Sequence, residues 1–539
     1  MDRHRLVGPT SIELFSTVAP FSCFDFVDQR FPSGNFAIRR LFSLARAGGG
    51  CTLIVETIEP DGIIADENDE IRTLHPGYEM TGLTRISFWT SAITDPGQLR
   101  SEDSEHCIGY AILKRDAIPV QYIDFGDDEN PEAGVGQEFA PPGYWSVFEA
   151  VFTKYPHPNN CIPNIMTYKV SVGDAEFRVQ GILYAQQNNI NRQCAQVALR
   201  SLLTRVLQRD ISYREINSLA NRPPEQKGLN VSQIRAVLTG LGISFRDYDY
   251  ELNPELRNRV RNHYQKCAYA GIESGMGALI TFALAGPRVR QDQPLHIVPF
   301  YGHTFNKDTW IPEADIAYFQ VGNDVGYIPS ECWTSSFLGH DDNFGPNFCV
   351  PRLYLEPENV KYVVEILKSG YAVSGIDAEA KGLPFLYSLL DHVDVVASQD
   401  PWLKRLVVSV RESRIQRVVL RAVAIDKDAY VKHLATERDW ENHSEHDAVI
   451  QALRDANIPD HLWIVEFSIP QLFPANQRKL GEIVLNGEVE LSGDDGDFSP
   501  FVLARLPGSY YFIKSDESDD LHFERYASAL VSHFPVIRL

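Results

Sequence analysis

An amphipathic helix that begins at a cysteine is the feature that most limits how this chain can fold. From Cys194 onward, apolar residues recur every three to four positions, and a polar stretch, QQNNINRQ, comes directly before the cysteine. Such spacing predicts a helix with one buried face, and it places Cys194 in the first turn. Backbone N–H groups without helical partners, together with the helix dipole, stabilise a thiolate at that position. Cys194 is therefore the candidate nucleophile.

A thiolate that attacks a carbonyl needs a general base, a group that orients the base, and donors for the oxyanion. Gln186 and Gln187 lie shortly before the cysteine, and Gln187 is the preferred partner for the Cys194 backbone N–H in an oxyanion hole. His296 opens a predicted strand, HIVPF, where an imidazole can face a helix terminus across a cleft. These residue types, in this order, predict nucleophilic acyl-transfer chemistry.

The pattern along the chain divides it into three regions, 1–175, 176–350 and 351–539. The first is predicted to be β-rich, with one helix over FAIRRLFSLARA, and a hairpin about Gly173-Asp174 lies at its end. In the middle region, predicted helices precede predicted strands. The third region is predicted to be mixed α/β and to start with a helix over PENVKYVVEILKSG. The fold class expected for the whole chain is α+β.

The composition limits the kinds of partner and cofactor that this chain is expected to bind. The formal charge of −22 and the lack of a basic stripe argue against nucleic acid, whose binding depends on clustered Lys and Arg. The eight cysteines are scattered singly, which indicates a reducing, cytoplasmic setting and no zinc motif. No stretch has the ~18 apolar residues of a spanning helix, so no membrane partner is expected. No phosphate-loop or dinucleotide motif occurs, so no cofactor is predicted.

A family resemblance rests on segments that follow one another in the middle of the chain: CAQVALRSLL, ISYREINSLA, KGLNVSQIRAVLTGLGISF, IESGMGALITF, HIVPFYGHT and GHDDNFGPN. Their order and spacing, over roughly residues 180–350, resemble the C39-like branch of the papain-like cysteine peptidases. The resemblance implies a papain-like catalytic domain over 176–350, between a β-rich region and a mixed α/β region. It also implies a cysteine protease that hydrolyses peptide or isopeptide bonds in a protein or peptide substrate.

Carried over to this sequence, the resemblance implies Cys194 as nucleophile, His296 as base and Asp341 as the carboxylate that orients the base. Asp342 is the adjacent alternative. His340, Asp341 and Asp342 are also three possible metal ligands in a row. Because successive side chains on a strand point to opposite faces, no metal site is predicted there.

The chain departs from the family pattern at three points. The family's oxyanion glutamine usually lies six residues before the cysteine, where this chain has Asn188, with Gln187 one step further back. The glycine that usually follows the cysteine is Ala195 here. The stretch between histidine and aspartate is longer than usual and contains His303 and Asp308 as alternative choices for the base and the orienting acid.

Two other functions fit the same residues. One is a catalytically silent papain-like module whose cleft is a docking surface. The other is a latent effector or acyltransferase, which the flanking regions hold inactive until a regulatory protein partner binds them.

Overall fold

The structure is a computed structural model. It describes residues 11–32, 35–60, 62–117, 143–153, 160–188, 190, 194–223, 228–258, 264–283, 295–305, 319–321, 325–352, 359–392, 404, 406–407, 418–436, 458–470, 472–473, 477–490, 499–506, 509–513, 523–526 and 534–537. Within these ranges the fold is α+β, as predicted, and nearly all strand pairs are antiparallel. None of the helices described is long and apolar enough to cross a membrane.

The helices, numbered in chain order, are α1 (Cys23–Arg30), α2 (Phe36–Ala47), α3 (Gly62–Leu74), α4 (Cys194–Leu207), α5 (Tyr213–Leu219), α6 (Val231–Gly240), α7 (Tyr264–Glu273), α8 (Gly375–His392) and α9 (Lys427–Thr436). The strands are β1 (Ser11–Ser16), β2 (Thr52–Thr57), β3 (Glu79–Trp89), β4 (Cys107–Ala117), β5 (Tyr144–Phe152), β6 (Asn160–Cys161), β7 (Met166–Val172), β8 (Ala175–Gly181), β9 (Phe245–Asp249), β10 (Ala278–Ala283), β11 (Leu295–Thr304), β12 (Phe319–Val321), β13 (Val325–Pro329), β14 (Ser336–Asp341), β15 (Gly345–Pro351), β16 (Val360–Ile366), β17 (Val419–Asp426), β18 (His461–Ser468), β19 (Arg478–Lys479), β20 (Gly481–Asn486), β21 (Phe501–Leu506), β22 (Ser509–Ile513), β23 (Phe523–Tyr526) and β24 (Phe534–Pro535).

The N-terminal sheet has the strand order β1-β2-β3-β4-β5. Helix α2 packs its apolar face against this sheet, and the Asn35 side chain caps the helix by accepting a hydrogen bond from the N–H of Ile38 at 3.1 Å. The predicted helix and the strands around it are therefore confirmed, as is the hairpin of β7 and β8 about Gly173-Asp174.

The same region contains two further helices, α1 and α3, so the prediction of a single helix was wrong. In α3 the inward positions include Glu67 and Asn68 beside Ile64 and Ile71. The charge of Glu67 is balanced by Lys114, on β4, whose Nζ is 2.7 Å from the Glu67 carboxylate. Because polar residues occupy half of its buried face, α3 lacks the apolar periodicity by which helices are recognised in a sequence.

The middle sheet has the order β15-β14-β11-β10-β16-β9, and β6 pairs with the C-terminal end of β11. Successive residues of its strands face opposite sides, so Leu279 and Ile297 pack against α4, whereas Ile280 and Val298 pack against α7. Strand alternation therefore places the N-terminus of α4 against one face of this sheet, next to the start of β11.

Strand β16 corrects the prediction of a helix over PENVKYVVEILKSG. Residues Val360–Ile366 pair with β10 on one side and with β9 on the other. A central strand covered on both faces is apolar without alternation, so its periodicity resembles that of a buried helix. The β-branched residues of VKYVVEI favour the extended form that the tertiary structure selects.

The third sheet has the order β12-β13-β17-β18-β20-β21-β22-β23, with α8 packed against it. Strand β16 follows residue 351 but belongs to the middle sheet, whereas β12 and β13 precede residue 351 and join the third sheet. The division into regions 1–175, 176–350 and 351–539 stays a prediction, and strands are exchanged across its second boundary.

Candidate active site

Cys194 is the first residue of α4, as predicted, and its side chain is partly buried. Burial and the negative charge of Asp342 raise the pKa of its thiol to about 11, although hydrogen bonds to the backbone N–H groups of Cys194 and Ala195 act in the opposite direction. Desolvation and a like charge therefore outweigh the helix N-terminus. The thiol of the resting protein is protonated at neutral pH.

His296 lies near the start of β11 and contacts two carboxylates. Its Nε2 is 3.1 Å from Oδ2 of Asp341 and 3.5 Å from Oδ1 of Asp342. Burial lowers the pKa of the imidazole, but the hydrogen bond to Asp341 and the two negative charges outweigh burial, so the pKa is raised overall. Because Nε2 faces the carboxylates, Nδ1 is the ring atom suited to receive a proton from a nucleophile.

Asp341 is held by the turn that follows β14. Its Oδ1 accepts hydrogen bonds from the backbone N–H groups of Asn343 and Phe344, at 2.9 and 3.1 Å. This turn leaves Oδ2 for His296 and fixes the direction of the carboxylate. Burial raises the pKa of Asp341, but the bond to His296 and its positive charge lower it more, so the group is ionised at neutral pH.

Asp342 contacts His296 as well, whereas His340 points away. The Nδ1 of His340 accepts a hydrogen bond from the N–H of Asn347 at 3.1 Å, on the other side of the strand. Strand β14 ends at Asp341, so alternation no longer separates Asp341 from Asp342. Among the residues described, Oδ2 of Asp342 is buried without a hydrogen-bond partner, and burial raises the pKa of this carboxyl to about 6.

His296, Asp341 and Asp342 present one nitrogen and two oxygens within 4.8 Å of one another. Imidazole and carboxylate groups of this kind are able to share a divalent cation. In the structure, however, Nε2 of His296 bonds directly to Asp341, which is the arrangement of a base and its orienting acid.

Three of the polar residues before the helix, Gln186, Gln187 and Asn188, point in different directions. Gln186 is tied to the N-terminal sheet, since its Oε1 accepts a hydrogen bond from the N–H of Val147 at 2.9 Å. Asn188 donates to Oε1 of Glu67 at 3.0 Å. Only Gln187, among these three, reaches the turn beside the carboxylates, with its Nε2 3.5 Å from Oδ1 of Asn343. Its amide is the one of the three that lies beside the candidate site.

Two residues from outside the predicted site bond to the backbone on either side of this turn, at the end of β14 and in β15. Arg40, on α2, donates to the carbonyl oxygen of Asn347 at 2.8 Å. The hydroxyl of Tyr184 donates to the carbonyl oxygen of Asp341 at 3.4 Å. Neither has a local sequence signal, because each is far from residues 341–347 along the chain. Arg40 thereby connects the N-terminal region to the candidate site.

Not all of the predicted residues meet. In the part of the chain that the structure describes, no hydrogen bond joins Sγ of Cys194 to either ring nitrogen of His296. His303, the alternative base, belongs to a different buried cluster, in which its Nε2 is 2.7 Å from Oε1 of Glu273. Asp308, the alternative acid, lies outside the described residues.

Replacing Asp342 by asparagine is expected to lower the pKa of the Cys194 thiol, because the substitution removes the charge that opposes the thiolate. Alkylation of Cys194 by iodoacetamide at pH 8 should become roughly twofold to tenfold faster, as for a shift of up to about one pKa unit. Peptide mapping by mass spectrometry measures the rate. Asp174→Asn, at an exposed turn, is the control. An unchanged rate in Asp342→Asn contradicts the coupling.

Comparisons with known proteins add little to this description. No family model matches the sequence, and no curated relative matches it. Among solved structures, the peptidase domain of Streptococcus ComA, a bi-functional ABC transporter involved in a quorum sensing pathway, aligns at 11% identity. The alignment covers 34% of this chain and 96% of that chain, with a TM-score of 0.19. A likeness at this score carries no argument about fold or activity.

Proposed function

We propose that the protein is a papain-like cysteine hydrolase that cleaves peptide or isopeptide bonds. Cys194 is the nucleophile, His296 the general base and Asp341 the carboxylate that orients the base. Gln187 and the backbone N–H of Cys194 donate hydrogen bonds to the oxyanion. No resident metal or cofactor takes part in this reaction.

The contact between His296 and Asp341 is the observation that carries the proposal. A carboxylate at 3.1 Å from Nε2 selects one tautomer and one ring orientation, so Nδ1 is presented as the base. The influence of Asp342 on the pKa of Cys194 indicates that the thiol and the Asp342 carboxylate share one electrostatic environment. A nucleophile, a base and an oriented acid are the combination that acyl transfer requires.

In the proposed reaction, Nδ1 of His296 takes the proton of Cys194 as the sulfur attacks the carbonyl carbon of the substrate. Donors at the helix N-terminus and at Gln187 stabilise the oxyanion. His296 then returns the proton to the leaving amine, and a second cycle with water releases the acyl group from Cys194. Asp341 stays ionised throughout and stabilises the imidazolium that forms.

The substrate class rests on the resemblance of residues 180–350 to the C39-like peptidases. To test it, the full chain is incubated with a peptide library and with isopeptide-linked conjugates, with and without a chelator, and the products are identified by mass spectrometry. Cleavage by the wild type that is absent in Cys194→Ser supports the proposal. Cleavage that persists in Cys194→Ser, or disappears with the chelator, contradicts it.

The pH profile of kcat/KM is expected to rise by about tenfold per pH unit until His296 loses its proton. With the Cys194 thiol protonated up to a pKa of about 11, attack needs a neutral His296, whose own pKa is raised above the usual 6.5. The acid limb should therefore extend above pH 6.5. Full activity already at pH 5 would instead indicate a preformed thiolate–imidazolium pair.

A latent enzyme is the second candidate. Cys194 and His296 form no direct hydrogen bond within the described residues, and the thiol is protonated. Arg40, in the N-terminal region, bonds to Asn347 in the neighbouring strand β15. Binding of a partner to that region would then release the site. Under this hypothesis the wild type shows no turnover, whereas Asp342→Asn, with its lower thiol pKa, gains measurable turnover. No turnover by either protein contradicts both candidates.

A further inference from the structure

His296 contacts one carboxylate more than a general base requires. Asp341 alone orients the imidazole, through its contact with Nε2 at 3.1 Å. Asp342 places a second carboxylate 3.5 Å from the same nitrogen, and its Oδ2 is buried without a hydrogen-bond partner among the residues described. Buried polar atoms are nearly always paired, so this oxygen is available to a ligand.

The spacing of the three donor groups suits a metal ion. Zinc binds imidazole nitrogen and carboxylate oxygen at about 2.0–2.2 Å, so two of its ligands in tetrahedral geometry lie roughly 3.3–3.5 Å apart. Nε2 of His296 is 3.1 Å from Oδ2 of Asp341 and 3.5 Å from Oδ1 of Asp342. One donor atom from each of the three residues lies within 4.8 Å of the other two. The nitrogen is therefore separated from both oxygens by the distance that two ligands of one ion have.

The turn after β14 orients both carboxylates. Oδ1 of Asp341 accepts hydrogen bonds from the backbone N–H groups of Asn343 and Phe344, which leaves Oδ2 for a ligand. Nδ2 of Asn343 donates to Oδ1 of Asp342 at 3.3 Å, and Oδ2 of that residue again has no donor within the described part of the chain. Hydrogen bonds of this kind orient the ligands of metal sites. The two carboxylates are thus held in place by the fold before any ion binds.

The charge around these two aspartates favours a cation. Among the residues described, His296 is the side chain that pairs with them, and no lysine or arginine does so. A second group of possible ligands, Cys161, His303 and Glu273, lies at the other end of β11 and differs in this respect. There Glu273 already bonds to Nη2 of Arg421 at 2.7 Å, so its charge is balanced by the protein itself. A dication is therefore expected at the first group and not at the second.

We propose that His296, Asp341 and Asp342 form an inhibitory zinc site, in which one Zn²⁺ ion binds Nε2 of the histidine and one oxygen of each aspartate. Imidazole selects zinc over Mg²⁺ and Ca²⁺, which prefer oxygen ligands. The set differs from the three consecutive residues 340–342, because His340 points away from the site. Binding of the ion is independent of the proposed hydrolase function, whereas its inhibitory effect rests on that function.

Zinc stops the general base because it fixes the opposite tautomer of the imidazole. A neutral imidazole carries one N–H, so an ion on Nε2 of His296 leaves that proton on Nδ1. If the ring is an imidazolium beforehand, its Nε2 proton passes to water as the ion binds. In the proposed hydrolysis, Nδ1 has to accept the proton of Cys194, and a protonated Nδ1 is unable to do so. The ion also replaces the contact between Nε2 and Asp341, so zinc binding and hydrolysis exclude each other.

Zinc binding is measured on the full-length protein at neutral pH, by competition with a chromophoric zinc chelator. The wild type and Cys194→Ser are both titrated, because the thiol of the nucleophile is itself able to bind zinc. Asp342→Asn and His296→Ala each remove one proposed ligand. His461→Ala is the matched control, since Nδ1 of His461 pairs with a single carboxylate, that of Asp426, at 3.4 Å.

We expect the dissociation constant for zinc to rise at least about tenfold in Asp342→Asn and in His296→Ala, as when residues that support a metal ligand are mutated. It should stay within about twofold of the wild type in His461→Ala, and Cys194→Ser should still bind the ion. Excess Ca²⁺ should not displace zinc. Equal affinity in Asp342→Asn and the wild type overturns the proposal, as does displacement by Ca²⁺. Circular dichroism checks the fold of each variant, and the competition with Ca²⁺ decides without any variant.

Inhibition is tested separately, with the wild type and a peptide that it cleaves. The rate of cleavage should fall as free zinc rises, with its midpoint at the dissociation constant measured for the wild type, and a chelator should restore it. Zinc binding without cleavage of any peptide would contradict the proposed hydrolase and leave the metal site in place. Cleavage that continues unchanged when zinc fills the site overturns the inhibitory role.

Discussion

Replacing His296 by alanine is expected to lower kcat/KM by about 10²–10⁴-fold, the range that general acid–base catalysis contributes in enzymes. The imidazole is the only group in the proposed mechanism that both removes the proton of Cys194 and returns it to the leaving amine. Asp341 and Asp342 lie on the Nε2 side of the ring and do not replace it. The measurement is the rate of cleavage of a library-derived peptide at pH 8.

The chain contains a matched control for this experiment. His461, on β18, also pairs with a carboxylate, with its Nδ1 3.4 Å from Oδ1 of Asp426. His461→Ala removes a similar histidine–aspartate pair and should leave the rate within about twofold of the wild type. Equal losses in the two variants would indicate general destabilisation, and an unchanged rate in His296→Ala would remove His296 from the mechanism.

Replacing Arg421 by methionine is expected to lower the free energy of unfolding by about 3–5 kcal/mol, as when one partner of a buried ion pair is removed. Arg421 bonds to Glu273 at 2.7 Å, to Glu466 at 2.8 Å and to the carbonyl oxygen of Ile537 at 2.8 Å. Its side chain is 6% exposed and those of both glutamates 1% exposed. Methionine fills a similar volume but leaves two buried carboxylates without this cation.

The loss is moderated by the remaining cations, since Lys479 stays 2.8 Å from Glu466 and His303 stays beside Glu273. Urea titration followed by tryptophan fluorescence measures the effect. Arg100→Met is the control, because Arg100 and Asp174 form a surface pair at 3.1 Å with side chains 74% and 78% exposed. Surface pairs contribute about 0–1 kcal/mol. A change of that size in Arg421→Met would show that the buried network adapts without its arginine.

Much of the fold follows from patterns between neighbouring residues. The helix that starts at Cys194 is recognisable from its apolar spacing alone. The start of α6 is recognisable from its capping box, in which the side chains of Asn230 and Gln233 each accept a hydrogen bond from the other residue's backbone N–H. Caps, turns and apolar periodicity depend on residues close together in the chain, so they can be recognised from the sequence alone. The sequence pattern failed to predict β16 and α3. Strand β16 is buried on both faces, and α3 has charged residues on its buried face. In both cases distant parts of the chain provide the neighbours that decide the structure.

The candidate site, too, depends partly on local sequence and partly on the tertiary structure. The sequence by itself determined that a cysteine begins a helix and, through the family resemblance, predicted Cys194, His296, Asp341 and Gln187 as the site. Only the tertiary structure decided that Asp342 also contacts His296 and that Gln187 alone of three amides reaches this turn. The pairing of Cys161 with His303, next to the ion pair of Glu273 and Arg421, was also decided only by the tertiary structure. Residues far apart in the chain bury these side chains and form hydrogen bonds with them, which sets their orientation and their charge state. The spacing of residues within one segment of the sequence does not contain this information.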